Sequence, residues 1–315
     1  MDRIDVALLM EAQYDFPLVD RPFLELGRRV GIGEDEAISR LRALAEAGVL
    51  KRIGAVLNYR ARGLEAALVG LATPPELVDA VAAEVNKDPQ VTHNYLRDYQ
   101  PYNIWFVTKA PTAGELEAKV KSLAENWGLD YIILYSLRTY KLDVRFDLER
   151  GISRSRPRIL PENPPRVEQL GIPKEFYGKI KSIPLVKEPF KDVARILGKS
   201  VGEALDVVRE LIDMGVLRDF HATLDGEALG FRENAMVVLR EPACEEAAML
   251  EESTHVVLRS TVPGKWHYPC YFMVHAKTKD AISRIKIGGE YKMLFSVRDL
   301  LGGRTMAKRI EAVSD

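Results

Sequence analysis

The sequence predicts an α+β protein built as a tandem repeat. Each copy carries an N-terminal helix-turn-helix (winged-helix-like) head followed by a ferredoxin-like βαββαβ domain. Three observations lead there. First, Pro22 to Leu64 aligns without gaps on Pro189 to Phe231. PFLELGRRVGIGEDEAISRLRALAEAGVLKRIGAVLN lies over PFKDVARILGKSVGEALDVVRELIDMGVLRDFHATLD with about a third of positions identical. Second, the stretch after each head alternates between strand-like and helix-like periodicity. Third, the segment between the copies, RGISRSRPRILPENPPR from Arg150 to Arg166, is rich in Pro, Ser and Arg and has no periodicity, as a linker would.

The elements follow in chain order. FLELGRRVG and EDEAISRLRALAEAGVL read as two short helices joined at Ile32-Gly33, and Gly48 stops the second. AALVGLAT reads as a strand, PPELVDAVAAEVNK as a helix and VTHNYLRD as a strand. YNIWFVTK is a further strand, TAGELEAKVKSLAENW a helix and DYIILYSLRTYKL a last strand. That order is the split βαβ plan. The boundaries are a first head at 1–62, a first body at 63–150, a linker at 151–172, a second head at 173–230 and a second body at 231–315.

Bulk composition narrows the function classes. The chain has 315 residues, 29% charged and 47% hydrophobic, which is a globular composition. Net charge is −1 and the pI is about 6.6, so no bulk attraction to nucleic acid operates. The N-terminus carries acids and lacks a secretory core, and no apolar run is long enough to span a bilayer. The two cysteines, Cys244 and Cys270, show no metal-ligand or disulfide pattern, which fits a reducing compartment. The expectation is a soluble, cytoplasmic protein with no membrane partner.

The heads raise the question of DNA. The second helix of a DNA-reading head offers its N-terminal residues to bases and phosphates. Here those residues are Glu34, Asp35 and Glu36, and in the second copy Ser200, Val201, Gly202 and Glu203. Arg28, Arg29, Arg40 and Arg42 offer a basic patch in the first copy, but only Arg195 and Arg209 match it in the second. The heads are therefore read as packing and assembly elements, with DNA an unfavoured partner.

Chemistry concentrates in VTHNYLRDYQPYNIWFVTKA, Val91 to Ala110, and in its looser copy STHVVLRSTVPGKWHYPCYFMVHA, Ser253 to Ala276. His93 matches His255, Leu96 matches Leu258 and Arg97 matches Arg259. Farther on, YSLRTYK lies over FSVRDLL, pairing Arg138 with Arg298. In a strand His93, Tyr95 and Arg97 share one face, as do His255 and Arg259. Tyr102, Asn103, Trp105, Trp266, Tyr268, Tyr271 and His275 follow on the next strand and its approach. Aromatic stripes of this kind serve a core or a cavity wall equally well, and Arg138 and Arg298 fit either a site or an exposed face.

These residues resemble the sirohaem (siroheme) decarboxylases, which are related in fold to the Lrp/AsnC regulators and pair two homologous subunits or fuse them in one chain. The resemblance covers essentially the whole chain. The first copy is similar through Thr92, His93, Asn94, Tyr95, Leu96, Arg97, Tyr102, Asn103, Trp105 and Phe106. The second is similar through His255, Arg259, Trp266, Tyr268, Tyr271, Met273 and His275. It departs at Val257, His267, Pro269 and Cys270.

The resemblance implies Lrp/AsnC-type bodies and a carboxy-lyase that removes two acetate carboxyl groups of siroheme as CO2, giving didecarboxysiroheme on a route to haem or to nitrite-reductase haem. No organic cofactor or protein-bound metal is expected, because the iron belongs to the substrate. His93, Tyr95, Arg97, His255 and Arg259 are the expected catalytic set, with His93 as principal general acid and His255 its counterpart. An alternative role for either histidine is axial ligation of the substrate iron. Arg97, Arg259, Arg138, Arg298 and Lys141 are candidates for holding carboxylates. The flat ring would rest on Tyr102, Trp105, Trp266 and Tyr271, with Asn103, Tyr268 and His275 nearby. The two repeats are expected to pair within the chain, with further pairing into a homodimer left open. The first copy is the expected seat of chemistry, the second completing its pocket or binding a second substrate. The alternative function is an Lrp/AsnC-type DNA-binding regulator whose bodies sense a small molecule.

Overall fold

A computed structural model of the chain describes residues 1–301. The first head comprises α1 (Arg3–Tyr14), α2 (Pro22–Val30), α3 (Glu34–Glu46) and β1 (Leu50–Leu57). The first body runs β2 (Glu65–Ala72), α4 (Val78–Val85), β3 (His93–Arg97), β4 (Ile104–Ala110), α5 (Ala113–Trp127) and β5 (Asp130–Leu142). A short hairpin, β6 (Phe146–Asp147) and β7 (Ile152–Ser153), leads into the crossing segment. The second head comprises α6 (Lys174–Lys181), α7 (Lys191–Leu197), α8 (Val201–Asp213) and β8 (Leu217–Leu224). The second body runs β9 (Glu233–Leu239), α9 (Cys244–Met249), β10 (His255–Arg259), β11 (Cys270–Ala276), α10 (Lys279–Ser283) and β12 (Tyr291–Asp299). Its expected boundary at residue 315 runs past the described residues.

Local signals set the head helices. Proline opens α2 and Gly31 closes it at φ 79°, a left-handed geometry that favours glycine. Ser200 and Glu203 form a reciprocal capping box at the start of α8. The apolar faces of both heads merge into one core, in which Phe23, Leu26 and Leu41 join Phe190, Leu205 and Phe220. An antiparallel β1–β8 ladder seams the heads together, so they fold as an intramolecular pair.

Each body has the strand order expected of a ferredoxin-like unit, β5-β2-β4-β3 and β12-β9-β11-β10. The edges of these sheets meet reciprocally. β5 of the first body pairs with β10 of the second, and β12 of the second pairs with β3 of the first. With the β10–β11 pairing the eight strands close into one antiparallel barrel. Alternation then sorts the side chains. Val69, Ile104 and Phe106 face the helices of the first body, whereas Leu68, Trp105 and Leu134 face the barrel interior.

One expectation is corrected. Cys244 and Cys270 are joined in a disulfide, with Cα atoms 5.5 Å apart. Cys244 opens α9 and Cys270 opens β11, and α9 packs on that strand. This is a tertiary juxtaposition that spacing along the chain does not reveal, and it removes the inference from cysteine to a reducing compartment. The linker packs against both bodies. Ile152 and Ser153 are buried in the sheet, the Ser155 amide donates to the Glu251 carbonyl, and the Leu160 amide donates to the Tyr140 carbonyl. A two-residue strand is too short to leave a periodic signature. Among the described residues no helix is long and apolar enough to cross a membrane.

The arginines that could have formed a DNA-facing patch are consumed internally. Arg28 and Arg29 pair with Glu25, Arg29 also with Glu11 and Asp15, and Arg40 with Asp2, Asp5 and Glu36. Arg42 and Arg209 donate to the carbonyls of Leu185 and Leu18 in the opposite head.

The head seam is tight at Gly54. A Cβ there would fall inside van der Waals contact with the carbonyl oxygens of Ile180 and Lys181. Gly54→Ala is expected to destabilise by about 1–3 kcal/mol, lowering Tm by about 2–8 °C. Thermal denaturation followed by circular dichroism checks this, and an unchanged Tm would contradict a close-packed seam.

Candidate active site

The barrel brings the two histidine segments together. β3 and β10 lie on opposite walls of the ring of eight strands, so inward side chains from each point at the other. His93 and His255 meet across the interior with ring centroids 6.0 Å apart, edge to face. Each ring is fixed from behind by its neighbour: Thr92 Oγ1 lies 3.0 Å from His93 Nδ1, and Thr254 Oγ1 lies 3.2 Å from His255 Nδ1. The Thr254 hydroxyl already donates to the Met273 carbonyl. Towards His255 it must accept, which places the proton on Nδ1 and leaves Nε2 with a free lone pair.

The arginines of the same two strands lie one level deeper. Arg97 Nη1 donates to the Leu294 carbonyl at 2.8 Å and to Asn234 Oδ1 at 3.3 Å. Arg259 Nη1 donates to Ser136 Oγ at 2.7 Å and to the Leu134 carbonyl at 3.3 Å. Each guanidinium thus clasps the last strand of the other repeat. Neither meets a carboxylate, and the Nε of each is buried without a partner. Arg97 lies over the Tyr95 ring and Arg259 over the Tyr271 ring.

Below the arginines the interior is an aromatic plug. Trp105 and Trp266 pack at 5.0 Å, with Tyr102, Tyr268 and Tyr271 around them. Trp105 Nε1 donates to the Tyr102 carbonyl, Trp266 Nε1 to the Tyr271 hydroxyl, and the Tyr102 hydroxyl to Asp130. Gly70 leaves room for the Trp105 ring, whose edge lies 3.2 Å from where a Cβ would stand. These aromatics form the floor of the chamber and are largely saturated by one another.

Other expected site residues lie elsewhere. Asn103 staples the end of β2 to the start of β4 through the backbone N–H and carbonyl of Thr73. Lys141 is buried, its ammonium donating to Ser155, Ser253 and the Leu250 carbonyl. Arg138 stacks on Tyr140 outside the barrel and faces Glu162 and Glu245. Arg298 is exposed and pairs with Asp79. The structure therefore gathers His93, Tyr95, Arg97, His255, Arg259 and His275, with the aromatics below, and leaves these four apart.

It also adds residues that the motif did not flag. By strand register Lys109 occupies the place in the first copy that His275 holds in the second. From the head sheet, Arg218 and Arg52 are half-buried close to this end of the barrel. A lone cation in a strand carries no sequence signal of this kind; only the second copy, read strand by strand, exposes the equivalence.

The electrostatics follow. Burial, reinforced by Lys109, His275, Arg218 and Arg97, pushes His93 down to about 3. Burial together with His93, His275, Arg218 and Arg259 holds His255 well below its usual range. Burial and Arg97 bring His275 to about 4, and its Nε2 has no partner. Burial and then Arg218 lower Lys109 to about 8. The charged side chains that weigh most on the two central histidines are the cations Lys109, Arg218, Arg97 and Arg259. Among the described residues none of these four cations forms an ion pair, so the half-buried chamber is positive at its centre.

A second cluster, Asp143, Asp219 and His221, brings ligand atoms within 4.8 Å of one another. The buried Arg145 guanidinium already sits among them, donating to both acids and to the Gln13 carbonyl. Its charge is balanced, and the cluster serves as a latch between the second head, the first helix and the barrel.

Comparisons with known proteins agree with this geometry. A model of the AsnC-like ligand-binding domain matches residues 61–141 and 228–300. A model of the siroheme decarboxylase NirDL-like HTH domain matches residues 5–50 and 180–218. The siroheme decarboxylase NirDL subunit of Paracoccus pantotrophus is 33% identical over 95% of both chains. The siroheme decarboxylase alpha subunit of Desulfovibrio desulfuricans is 36% identical, over 47% of this chain and 86% of its own length. The crystal structure of the siroheme decarboxylase NirDL in co-complex with an iron-uroporphyrin III analogue superposes with a TM-score of 0.62 at 28% identity, covering 99% of this chain and all of that one.

The depressed histidines make stability depend on pH. Between about 6.5 and their folded values, His93, His255 and His275 bind protons in the unfolded chain but not in the native one. Unfolding free energy is therefore expected to fall as pH drops from 6.5 towards 4, by up to about 1.4 kcal/mol per pH unit per histidine. Denaturant titrations across that range test this. A double variant, His93→Asn with His255→Asn, should flatten the slope, and an unchanged slope would assign it to other groups.

Proposed function

This chain belongs to the siroheme decarboxylase NirDL family, and from that premise we propose that it removes two acetate carboxyl groups of siroheme as CO2 within one chamber built by both repeats. The activity places it in haem biosynthesis. The observation that carries the reading is the meeting of His93 and His255 in a chamber of uncompensated positive charge. Siroheme is a flat, iron-bearing ring edged with carboxylates. The barrel interior below the histidines is already filled by its own aromatic side chains, which leaves no room there for a macrocycle. The ring therefore lies across the histidine end of the barrel, and its acetate arms reach inward.

The chemistry follows from the residues. In each decarboxylation the bond between the carboxylate and the side-chain carbon breaks and CO2 leaves. The electron pair passes to the conjugated ring, and a proton reaches the carbon to complete a methyl group. His93 is the general acid in this scheme. In the empty chamber it is neutral, because burial and neighbouring cations disfavour its protonation. Substrate carboxylates reverse that field and raise its pKa, so the acid is charged when substrate is present. His255, with its lone pair on Nε2, suits hydrogen bonding to the transferring proton or ligation of the substrate iron. Arg97 and Arg259 hold the acetate being cleaved, and Tyr95 lines the approach to it.

The protein calls on no organic cofactor in this scheme, since ring and iron arrive with the substrate. The reaction is assigned to the cytoplasm, which the Cys244–Cys270 bond does not forbid, because intracellular disulfides are common in some hyperthermophiles. The regulator reading is weakened, because the patch arginines Arg28, Arg29, Arg40 and Arg42 are spent on carboxylates and on the seam.

Anaerobic incubation with siroheme, followed by mass spectrometry, should show loss of two CO2 masses. His93→Ala should still bind siroheme but slow its decarboxylation by roughly 10²–10⁴-fold. An unchanged rate would remove His93 from the acid role.

Binding should also take up protons. The histidine pKa values are lower in the free protein than in the complex, so affinity should rise as pH falls from 8 to 6. Calorimetric titration in buffers of different ionisation enthalpy reads this directly, and zero net uptake would contradict substrate-coupled protonation.

A further inference from the structure

We propose that Arg218, on β8 of the second head, forms with Lys109 on the barrel rim a carboxylate-binding subsite for an acetate side chain of siroheme that is not cleaved. The heads would then be part of the substrate site rather than assembly elements alone. The inference rests on the siroheme reading above.

The two copies of the head differ informatively at this point. By the internal repeat Arg218 matches Lys51, and Asn58 matches Asp225. In the first copy the cation is neutralised: Lys51 Nζ lies 2.8 Å from Asp225 Oδ2. In the second copy the acid has been replaced by a buried asparagine. Asn58 Nδ2 donates to the Gly215 carbonyl, and its Oδ1 accepts from the Arg60 amide. Among the described residues Arg218 has neither an ion pair nor a hydrogen bond, although it is half-buried.

The backbone contributes as well. Between the pairs Ala55↔Phe220 and Leu57↔Leu217, β8 advances three residues while β1 advances two. This bulge falls at Arg218 and Asp219, and a bulge re-aims the side chains it carries. Asp219 turns to the Arg145 latch. Arg218 comes within electrostatic reach of His93, His255 and Lys109, and it opposes protonation of each.

Asp143 acts on Arg218 only from beyond ion-pair distance and is itself bound to Arg145, so the half-buried guanidinium keeps much of its desolvation cost. A carboxylate removes it, and the planar fork of arginine suits bidentate capture of that group. Lys109 is likewise without an ion pair among the described residues, and it shares the rim with Arg218. A ring lying across the barrel end beneath the head sheet would bring a peripheral carboxylate to this pair.

The test uses the full chain and two probes, the octacarboxylate iron-uroporphyrin III and the tetracarboxylate iron-coproporphyrin III, titrated anaerobically by absorbance. Arg218→Gln should weaken iron-uroporphyrin binding about 10- to 100-fold and iron-coproporphyrin binding far less. Arg218→Lys should recover part of the loss. With saturating siroheme, kcat should change by less than about twofold, the loss appearing in KM. Unchanged affinity, or equal loss for both probes, would overturn the subsite while leaving decarboxylation intact. A wild-type chain that binds neither probe and does not convert siroheme would instead sink the siroheme reading itself. Should Arg218→Gln fail to fold, Lys109→Gln decides by the same selective loss.

Discussion

The reciprocal pairing of β5 with β10 and of β3 with β12 is the constraint on which the rest of the molecule depends. A four-stranded ferredoxin-like sheet has two open edges, and an exposed edge invites uncontrolled pairing. Joining two such sheets edge to edge removes all four edges at once. It also sets β3 and β10 half a turn apart around the ring. The His-x-x-x-Arg motif of each copy would be a modest feature of one sheet. Across a closed barrel the two motifs become a single chemical environment.

Closure also explains the double service of the arginines. Arg97 reaches from the first repeat to a carbonyl of β12, and Arg259 reaches from the second to a carbonyl of β5. These carbonyls belong to Leu294 and Leu134, which match each other in the internal repeat. Each arginine therefore ties the seam and charges the chamber at once. The aromatic plug beneath keeps water from the floor side, so the field of these cations is little screened. Lys119 and Arg145, by contrast, have acids beside them and are ordinary structural cations.

Much of this was legible in the sequence. The internal repeat exposed the duplication, and strand alternation put His93, Tyr95 and Arg97 on one face. The order of elements in the first body was read correctly from periodicity. What the sequence withheld is tertiary. The disulfide joins a helix start to a strand start, and nothing in a spacing of 26 marks that meeting. Lys141 and Asn103 look like ligands in a motif, but each is consumed by backbone and hydroxyl partners that only the fold brings near. Arg138 lies outside the barrel because β5 bulges twice where it meets β10, which defeats a simple count of alternate residues. Arg218 sits in a head that reads as an assembly module, so no local pattern assigns it to the chamber.

The chamber that results is only approximately two-fold. Lys109 stands opposite His275, Tyr95 opposite Val257, and Trp105 opposite Tyr271. A homodimer of one repeat would be held to identical walls, because every substitution would appear twice. Fusion of two copies in one chain lifts that restriction while barrel closure keeps the walls in contact. The histidines and arginines, which must converge on one point, are the same in both copies. The residues around them, which need only distinguish one side from the other, have diverged. A chamber of that kind presents a different surface to each side of a bound ring, and orientation becomes a property of the walls rather than of chance.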